Sequence, residues 1–240
     1  MMFLEVQNIA KQFNKEEVVK QLSISLQQHK TLSILGKSGC GKTTMLKMLA
    51  GLVEPDIGSI ELDGENMLRK KASERNIVYL YQEDLLFPHL TVFENIAFGL
   101  RLRKEAETSI QQKVTEMIGH LELETQAEKM PHQLSGGQRQ RVSFGRALII
   151  NPALLLLDEP FGSLDSGTRK RMQVFFKKIA QQYEITSLFV THDLKEAILM
   201  GDEIALMQAG KLNVYQSKQE FINDPSTGVK EEIGFWEGLN

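Results

Sequence analysis

The stretch GKSGCGKTT, residues 36–44, decides the fold. It follows the apolar run TLSIL at Thr31–Leu35. It leads into TMLKMLAG, where Met45, Leu46 and Leu49 share one helical face and Gly51 supplies the stop. The spacing is GxxxxGK[ST], with Gly36, Gly41, Lys42 and Thr43 in the fixed places. Glycines here let the backbone turn its N–H groups inward around a polyanion, and the helix that follows adds its positive end. A lysine at position 42 reaches the β- and γ-phosphates of a nucleotide, and the Thr43 hydroxyl is a ligand for Mg²⁺. The whole loop, Gly36, Lys37, Ser38, Gly39, Cys40, Gly41, Lys42, Thr43 and Thr44, is therefore a candidate nucleotide-binding element. Cys40 stands at a variable place in it and reads as a small residue rather than a redox centre.

Outward from this loop, apolar runs bounded by turn signals recur at Ile77–Tyr81, Leu154–Leu157 and Ser187–Val190. Runs of that kind suit parallel strands buried on both faces, and helical stretches alternate with them. Leu22, Ile24 and Leu26 instead alternate with polar residues, as on a half-buried antiparallel strand. The class expected is α/β with a parallel sheet. Residues 87–150 read differently, as a mostly helical insertion. Thr91 and Glu94 have capping-box spacing, and Ile110, Val114, Met117, Ile118 and Leu121 fall on one helical face. The charged run RKKASER, 69–75, reads as a solvated loop or helix face.

The run LLLLDEP, 154–160, ends in two carboxylates. In a doubly wound sheet, ligands lie outside the carboxyl ends of the strands, so Asp158 and Glu159 should face the same phosphates as the loop. Asp158 suits Mg²⁺, directly or through water, and Glu159 is then free to polarise an attacking water. Gln82 follows IVYLY and His192 follows SLFVT. Each has an ordinary structural reading at a strand end, and each is also placed to touch the metal or the γ-phosphate.

Size and charge narrow the classes. The chain has 240 residues, 42% hydrophobic and 25% charged, with net charge −3. That balance opposes a nucleic-acid partner. One cysteine excludes an internal disulfide, and a reducing, cytoplasmic setting is the default. The start reads as no secretory signal, and no run approaches the ~18 apolar residues of a membrane span. Work at a membrane would need a partner to supply the spanning part.

LSGGQRQR, 134–141, holds no nucleophile or metal ligand. Ser135 and Gln138 have capping-box spacing, which alone would explain them as a helix start. A cap does not require two glycines, each costing about 1 kcal/mol against alanine inside a helix. They make better sense where something must approach the backbone, and a serine hydroxyl with free N–H groups at a helix start is an anion site.

Taken in order, GKSGCGKTT, LSGGQRQR, LLLLDEP, SLD (163–165) and THD (191–193) resemble the ATPase subunit of an ATP-binding-cassette transporter over nearly the whole chain. The resemblance implies a P-loop NTPase fold of RecA-like type. Its parallel-sheet core and N-terminal antiparallel β-subdomain would come from residues 1–86 and 151–240, and its inserted helical subdomain from 87–150. It implies ATP and Mg²⁺, with Thr43, Gln82 and Asp158 as metal ligands. Lys42, Gln82, Glu159 and His192 would be the catalytic set, and Asp165 the D-loop aspartate. Phe13 would stack on adenine, where tyrosine is commoner. Ser135, Gly136, Gly137 and Gln138 would read the γ-phosphate held by a second subunit in a head-to-tail dimer. The partners implied are membrane permease subunits and a solute-binding protein, at the cytoplasmic face of the inner membrane.

FPHLTVFENIAFGL resembles importers for iron, polyamines, sugars and related solutes. FGSLD and THDLKEAILMGDEI fit importers too, including those for nitrate or sulfonates. Leu85, Leu86, Phe87, Leu90 and Phe93 are divided between internal packing and a groove for a membrane partner's helix. The sequence stops at GFWEGLN, about where many such importers begin a regulatory domain, so regulation of that kind is not expected; Trp236 reads as a packing anchor. The alternative is a non-transport ATPase of the superfamily. Against it, repair clamps separate the two motifs by long coiled coils, while Lys42 and Ser135 lie 93 positions apart (135 − 42). Translation factors of that superfamily carry two cassettes, and this chain has one.

Overall fold

The computed structural model describes residues 2–231 and residue 234. The Trp236 expectation lies outside the described residues. Strands β1 (Leu4–Phe13) and β2 (Glu16–Leu26) form a hairpin. Its two turn residues, Asn14 and Lys15, both have positive φ, 48° and 72°, which matches the twist of paired strands. With β4 (Ile57–Leu62) and β5 (Glu65–Asn66) they make an antiparallel sheet in the order β2-β1-β4-β5. Leu22, Ile24 and Leu26 are buried while the residues between them are exposed, as their alternation predicts.

The second sheet has six strands in the order β10-β9-β3-β8-β7-β6. These are β3 (Thr31–Leu35), β6 (Ile77–Leu80), β7 (Leu154–Asp158), β8 (Ser187–Thr191), β9 (Glu203–Gln208) and β10 (Lys211–Tyr215). All run parallel except β10, which pairs antiparallel to β9. The strand before the phosphate loop, the strand before His192 and the strand before the two carboxylates are thus side by side.

Among the described residues the α-helices with defined bounds are α1 (Lys42–Ala50), α2 (Val92–Leu102), α3 (Glu107–His120), α4 (Gly136–Leu148), α5 (Ser166–Gln182), α6 (Leu194–Met200) and α7 (Lys218–Asn223). The four leucines of β7 show why a continuous apolar run is needed. Leu155 and Leu157 enter a core made with α2, α3, α4 and α5, while Leu154 and Leu156 enter a second core made with α1 and the antiparallel sheet. Each leucine is fully buried, and burial of a side chain of that size contributes roughly 1.5–3 kcal/mol. The α3 face Ile110, Val114, Met117, Ile118 and Leu121 is buried as its spacing predicts.

Two local expectations need correction. The run 69–75 is not wholly solvated: Arg75 is buried, and its Nη1 donates to Met48 O and Leu49 O, the last carbonyls of α1. An arginine can neutralise a helix C-terminus in this way. The cap of α2 is half formed: Thr91 Oγ1 accepts the Glu94 N–H, but the Glu94 carboxylate turns to Arg101 on the same helix.

Candidate active site

The phosphate loop forms because β3 ends at Leu35 against β8 and β9 and the chain must turn at once into α1. Gly36 has no room for a side chain, since a Cβ there would lie 2.5 Å from Met207 O and 2.8 Å from Cys40 Sγ. Gly41 has φ 108°, and a Cβ would meet Val18 O at 2.6 Å. Cys40 is half buried, with its sulfur turned to Gly36. Lys42 is 4% exposed and folded over the loop. Its Nζ donates to Gly36 O at 2.6 Å and Lys37 O at 3.1 Å and lies 3.6 Å from Glu159 Oε1.

One cavity of about 300 Å³ gathers Ser38, Gly39, Gly41, Lys42, Thr43, Thr44, Gln82, Asp158 and Glu159, together with Val18 from β2. Thr43 Oγ1 donates to Asp158 Oδ1 at 3.3 Å. Glu159 has φ 47°, an uncommon conformation for a glutamate, which takes its carboxylate out of the line of β7. Its Oε2 lies 2.6 Å from His192 Nδ1, and His192 is 58% exposed at the end of β8. Thr43, Asp158 and Gln82 offer a hydroxyl, a carboxylate and an amide, a hard oxygen set that suits Mg²⁺ completed by water or phosphate. Among the described residues no group of three or more His, Cys, Asp and Glu is placed to hold a metal by itself.

Ser135 and its neighbours are elsewhere. A separate cavity of about 390 Å³ is lined by Ser135, Gly136, Gly137 and Gln138 with Ser163, Leu164, Asp165, Thr168 and Arg171. It shares no residue with the first. Both halves of the predicted capping box form: Ser135 Oγ accepts from Gln138 N, and Gln138 Oε1 accepts from Ser135 N. Asp165 caps α5 through the N–H groups of Gly167 and Thr168, bonds that hold its carboxyl below the usual carboxylate range. Gly136 is the informative glycine. A Cβ there would meet Leu164 at an ordinary 3.5 Å, so nothing within this chain requires glycine at that position.

Phe13 does not line the phosphate cavity. It is 44% exposed at the end of β1, with Lys11 Nζ 5.5 Å from its ring centroid. Leu85 is half exposed with φ 39°, whereas Phe87 stacks on Phe98 and lies under the Arg146 guanidinium, and Leu86 and Phe93 pack on the core.

Sequence reading missed Tyr79. Its hydroxyl donates to Asp158 Oδ2 at 2.5 Å from the neighbouring strand β6, and burial first, then Asp158, pushes the phenol up so that it stays a donor. It missed Val18 too, and the buried group Thr191, Glu196 and Gln173 behind His192. No motif marks these residues; the alternating register of β6 against β7 was the only signal for Tyr79.

A family model described as ABC transporter matches residues 19–162. The chain belongs to the ABC transporter family. Within it the chain is an ATPase of importer type. It is 42% identical over 229 residues to the sulfate/thiosulfate import ATP-binding protein CysA of Pseudomonas syringae pv. tomato, covering 94% of this chain and 70% of that one. It is 43% identical over 223 residues to the spermidine/putrescine import ATP-binding protein PotA of Aggregatibacter actinomycetemcomitans, covering 93% of this chain and 60% of that one. The chain therefore spans less than two thirds of the polyamine relative. Among the described residues no helix is long and apolar enough to cross a membrane.

Proposed function

We propose that this ATPase powers import of a small charged solute through a separate membrane permease, as one half of a head-to-tail dimer. The observation that carries the dimer is the pair of disjoint cavities, one built on the phosphate loop and one on Ser135–Gln138, each with half of a phosphate site. Gly136 supports it, because its missing side chain has no use inside one subunit. The helix-start N–H groups of Gly136 and Gly137 have no intrahelical acceptor and suit a γ-phosphate presented by the partner.

In this reading the loop 36–44 holds the phosphates of ATP, and Lys42 leaves Gly36 O and Lys37 O for the β- and γ-oxygens. Thr43, Asp158 and Gln82 hold Mg²⁺, which supplies neutralisation of phosphate charge when bound. Tyr79 orients Asp158. Glu159 orients the attacking water and takes up its proton, and His192 steadies the Glu159 carboxylate and the transferring phosphoryl group. Phe13, exposed at the end of β1, stacks on the adenine outside the phosphate cavity. The chain works as one ATPase unit, with 1–86 and 151–240 carrying the phosphate loop and 87–150 the signature helix. Its place is peripheral, at the cytoplasmic face of the membrane, with a solute-binding protein delivering cargo on the other side. The names of the two relatives share one chemistry, a small multiply charged solute, although sulfate and the polyamines differ in sign.

The test is Glu159→Gln. The variant should bind ATP normally, release no phosphate, and form a dimer with ATP that light scattering detects. A chain that stays monomeric at saturating ATP overturns the shared site.

A further inference from the structure

Behind His192 lies a buried polar group that the proposed chemistry does not use. Glu196, on the first turn of α6, is 6% exposed, and no cation pairs with it among the described salt bridges. Its Oε2 accepts the Thr191 hydroxyl at 2.6 Å, and its Oε1 accepts Gln173 Nε2 at 2.9 Å. Thr191 is 1% exposed and Gln173 8%. Thr191 Oγ1 in turn accepts the Asp193 N–H at 3.0 Å, and Asp193 Oδ1 accepts the Glu196 N–H at 2.9 Å. Thr191 is therefore held by the Glu196 carboxylate, and Asp193 by the Thr191 hydroxyl and the Glu196 N–H, while the His192 side chain is 58% exposed and bonds Glu159.

Gln173 comes from a different element. It lies on α5, directly after Arg171 and Met172, which line the signature-side cavity with Asp165 and Thr168. α5 thus lines that cavity with its first two turns and bonds Glu196, on the first turn of α6, with the next residue. Burying a carboxylate and an amide costs several kcal/mol unless both are bonded, so the contact resists being opened. We propose that the Gln173–Glu196 bond is a strut by which α5 positions His192 against Glu159, so that what occupies the signature-side cavity sets the alignment of the imidazole on the Glu159 carboxylate of the same subunit's phosphate cavity. Gln173 and Glu196 are positioning residues. The inference rests on the proposed function for its consequence in turnover, but not for the strut itself.

The test uses the full chain, with histidine side chains labelled by ¹⁵N and followed at one fixed pH without nucleotide, beside ATP turnover. Gln173→Glu sets carboxylate against carboxylate, and Gln173→Met removes the donor at similar length. In both, the His192 Nδ1 signal should move toward that of a free imidazole. In both, kcat should fall about tenfold with KM for ATP within about twofold. Glu196→Gln should stay near wild type, because two facing amides can turn over to bond. The exchanged pair Gln173→Glu with Glu196→Gln restores donor and acceptor and should restore both readouts. Asp165→Ala, which uncaps α5, should shift the His192 signal in the wild-type background and add nothing on Gln173→Met. An unmoved His192 signal in both Gln173 variants overturns the strut, as does an exchanged pair that melts like wild type without recovering. If the wild-type chain hydrolyses no ATP, the proposed function fails while the imidazole signal still decides the strut.

Discussion

Arg75 shows how much one side chain outside any motif can carry. Its guanidinium closes the end of α1, the helix that begins at the phosphate loop, by donating to Met48 O and Leu49 O. Burial lowers its pKa from the usual arginine value, with Glu54 opposing the shift, yet arginine stays charged throughout the ordinary pH range. The C-cap Gly51 has φ 77°, and a Cβ there would lie 2.6 Å from the Arg75 guanidinium, so cap and arginine share one space. Arg75→Ala takes the guanidinium from Leu49 O and leaves Met48 O with only the Gly51 N–H, and should cost about 2 kcal/mol, read as a fall in the urea midpoint with an unchanged slope. An unchanged midpoint would mean that water replaces the guanidinium fully. The contrast with Lys42 and Asp158 explains what was legible. Those residues belong to contiguous motifs whose spacing encodes their chemistry, whereas Arg75 bonds residues 26 and 27 positions away. In sequence it is indistinguishable from the exposed charges beside it.

At the scale of elements, α4 is the piece that joins the two cavities' surroundings. Its first turn carries Gly136, Gly137 and Gln138, and two of its arginines reach back to the segment after Gln82. Arg139 Nε donates to Asp84 Oδ2 at 2.8 Å and its Nη1 to Leu134 O at 3.0 Å. One heptad on, Arg146 lies over Phe87 at 5.1 Å and its Nη2 is 3.4 Å from Asp84 O. Burial lowers the pKa of Arg146, and Asp84 offsets part of that. The Arg139–Asp84 pair is partly exposed on both sides, so its direct contribution to stability is only ~0.5 kcal/mol. Its effect should be on local opening instead. Asp84→Ala should leave the melting temperature nearly unchanged while hydrogen exchange quickens in segments 83–90 and 134–139, and quickens less across α1. Equal exchange in both segments would show that Phe87 and Arg146 hold the contact without the ion pair. The helix itself was legible, because its cap and its apolar face are local patterns. The clasp was not, since Asp84 and Arg139 are 55 positions apart and neither side chain's spacing on its own element points across.

For the whole molecule the decisive feature is that the described residues close two large hydrophobic cores on the faces of the parallel sheet and a smaller one around Leu194, Ile204 and Phe221, and still leave the phosphate-loop cavity and the Ser135 cavity apart, each half of a site in the proposed dimer. Folding and function make separate demands on the sequence here. The core accounts for the leucines of β7 and the stripe of α3, but not for Gly136, where a Cβ would make only ordinary contacts with Leu164 and Arg139. If the missing half comes from a second copy, damage to each half should complement. Lys42→Ala removes the phosphate lysine and leaves the signature turn whole. Ser135→Arg fills the signature cavity and leaves the phosphate loop whole. Each variant alone should hydrolyse almost no ATP. A one-to-one mixture forms heterodimers in which one seam pairs the intact loop of the Ser135→Arg copy with the intact turn of the Lys42→Ala copy. Random pairing puts half the dimers in that state, each with one working seam of two, so turnover should return to about a quarter of wild type if a single seam suffices. A mixture as inactive as its parts would mean either that both seams must fire together or that no seam is shared. Covalently linked copies, one wild type and one carrying both substitutions, separate those two. That linked pair has no intact seam in the shared arrangement and should be inactive, whereas a site complete within one subunit would leave it with half of the normal rate.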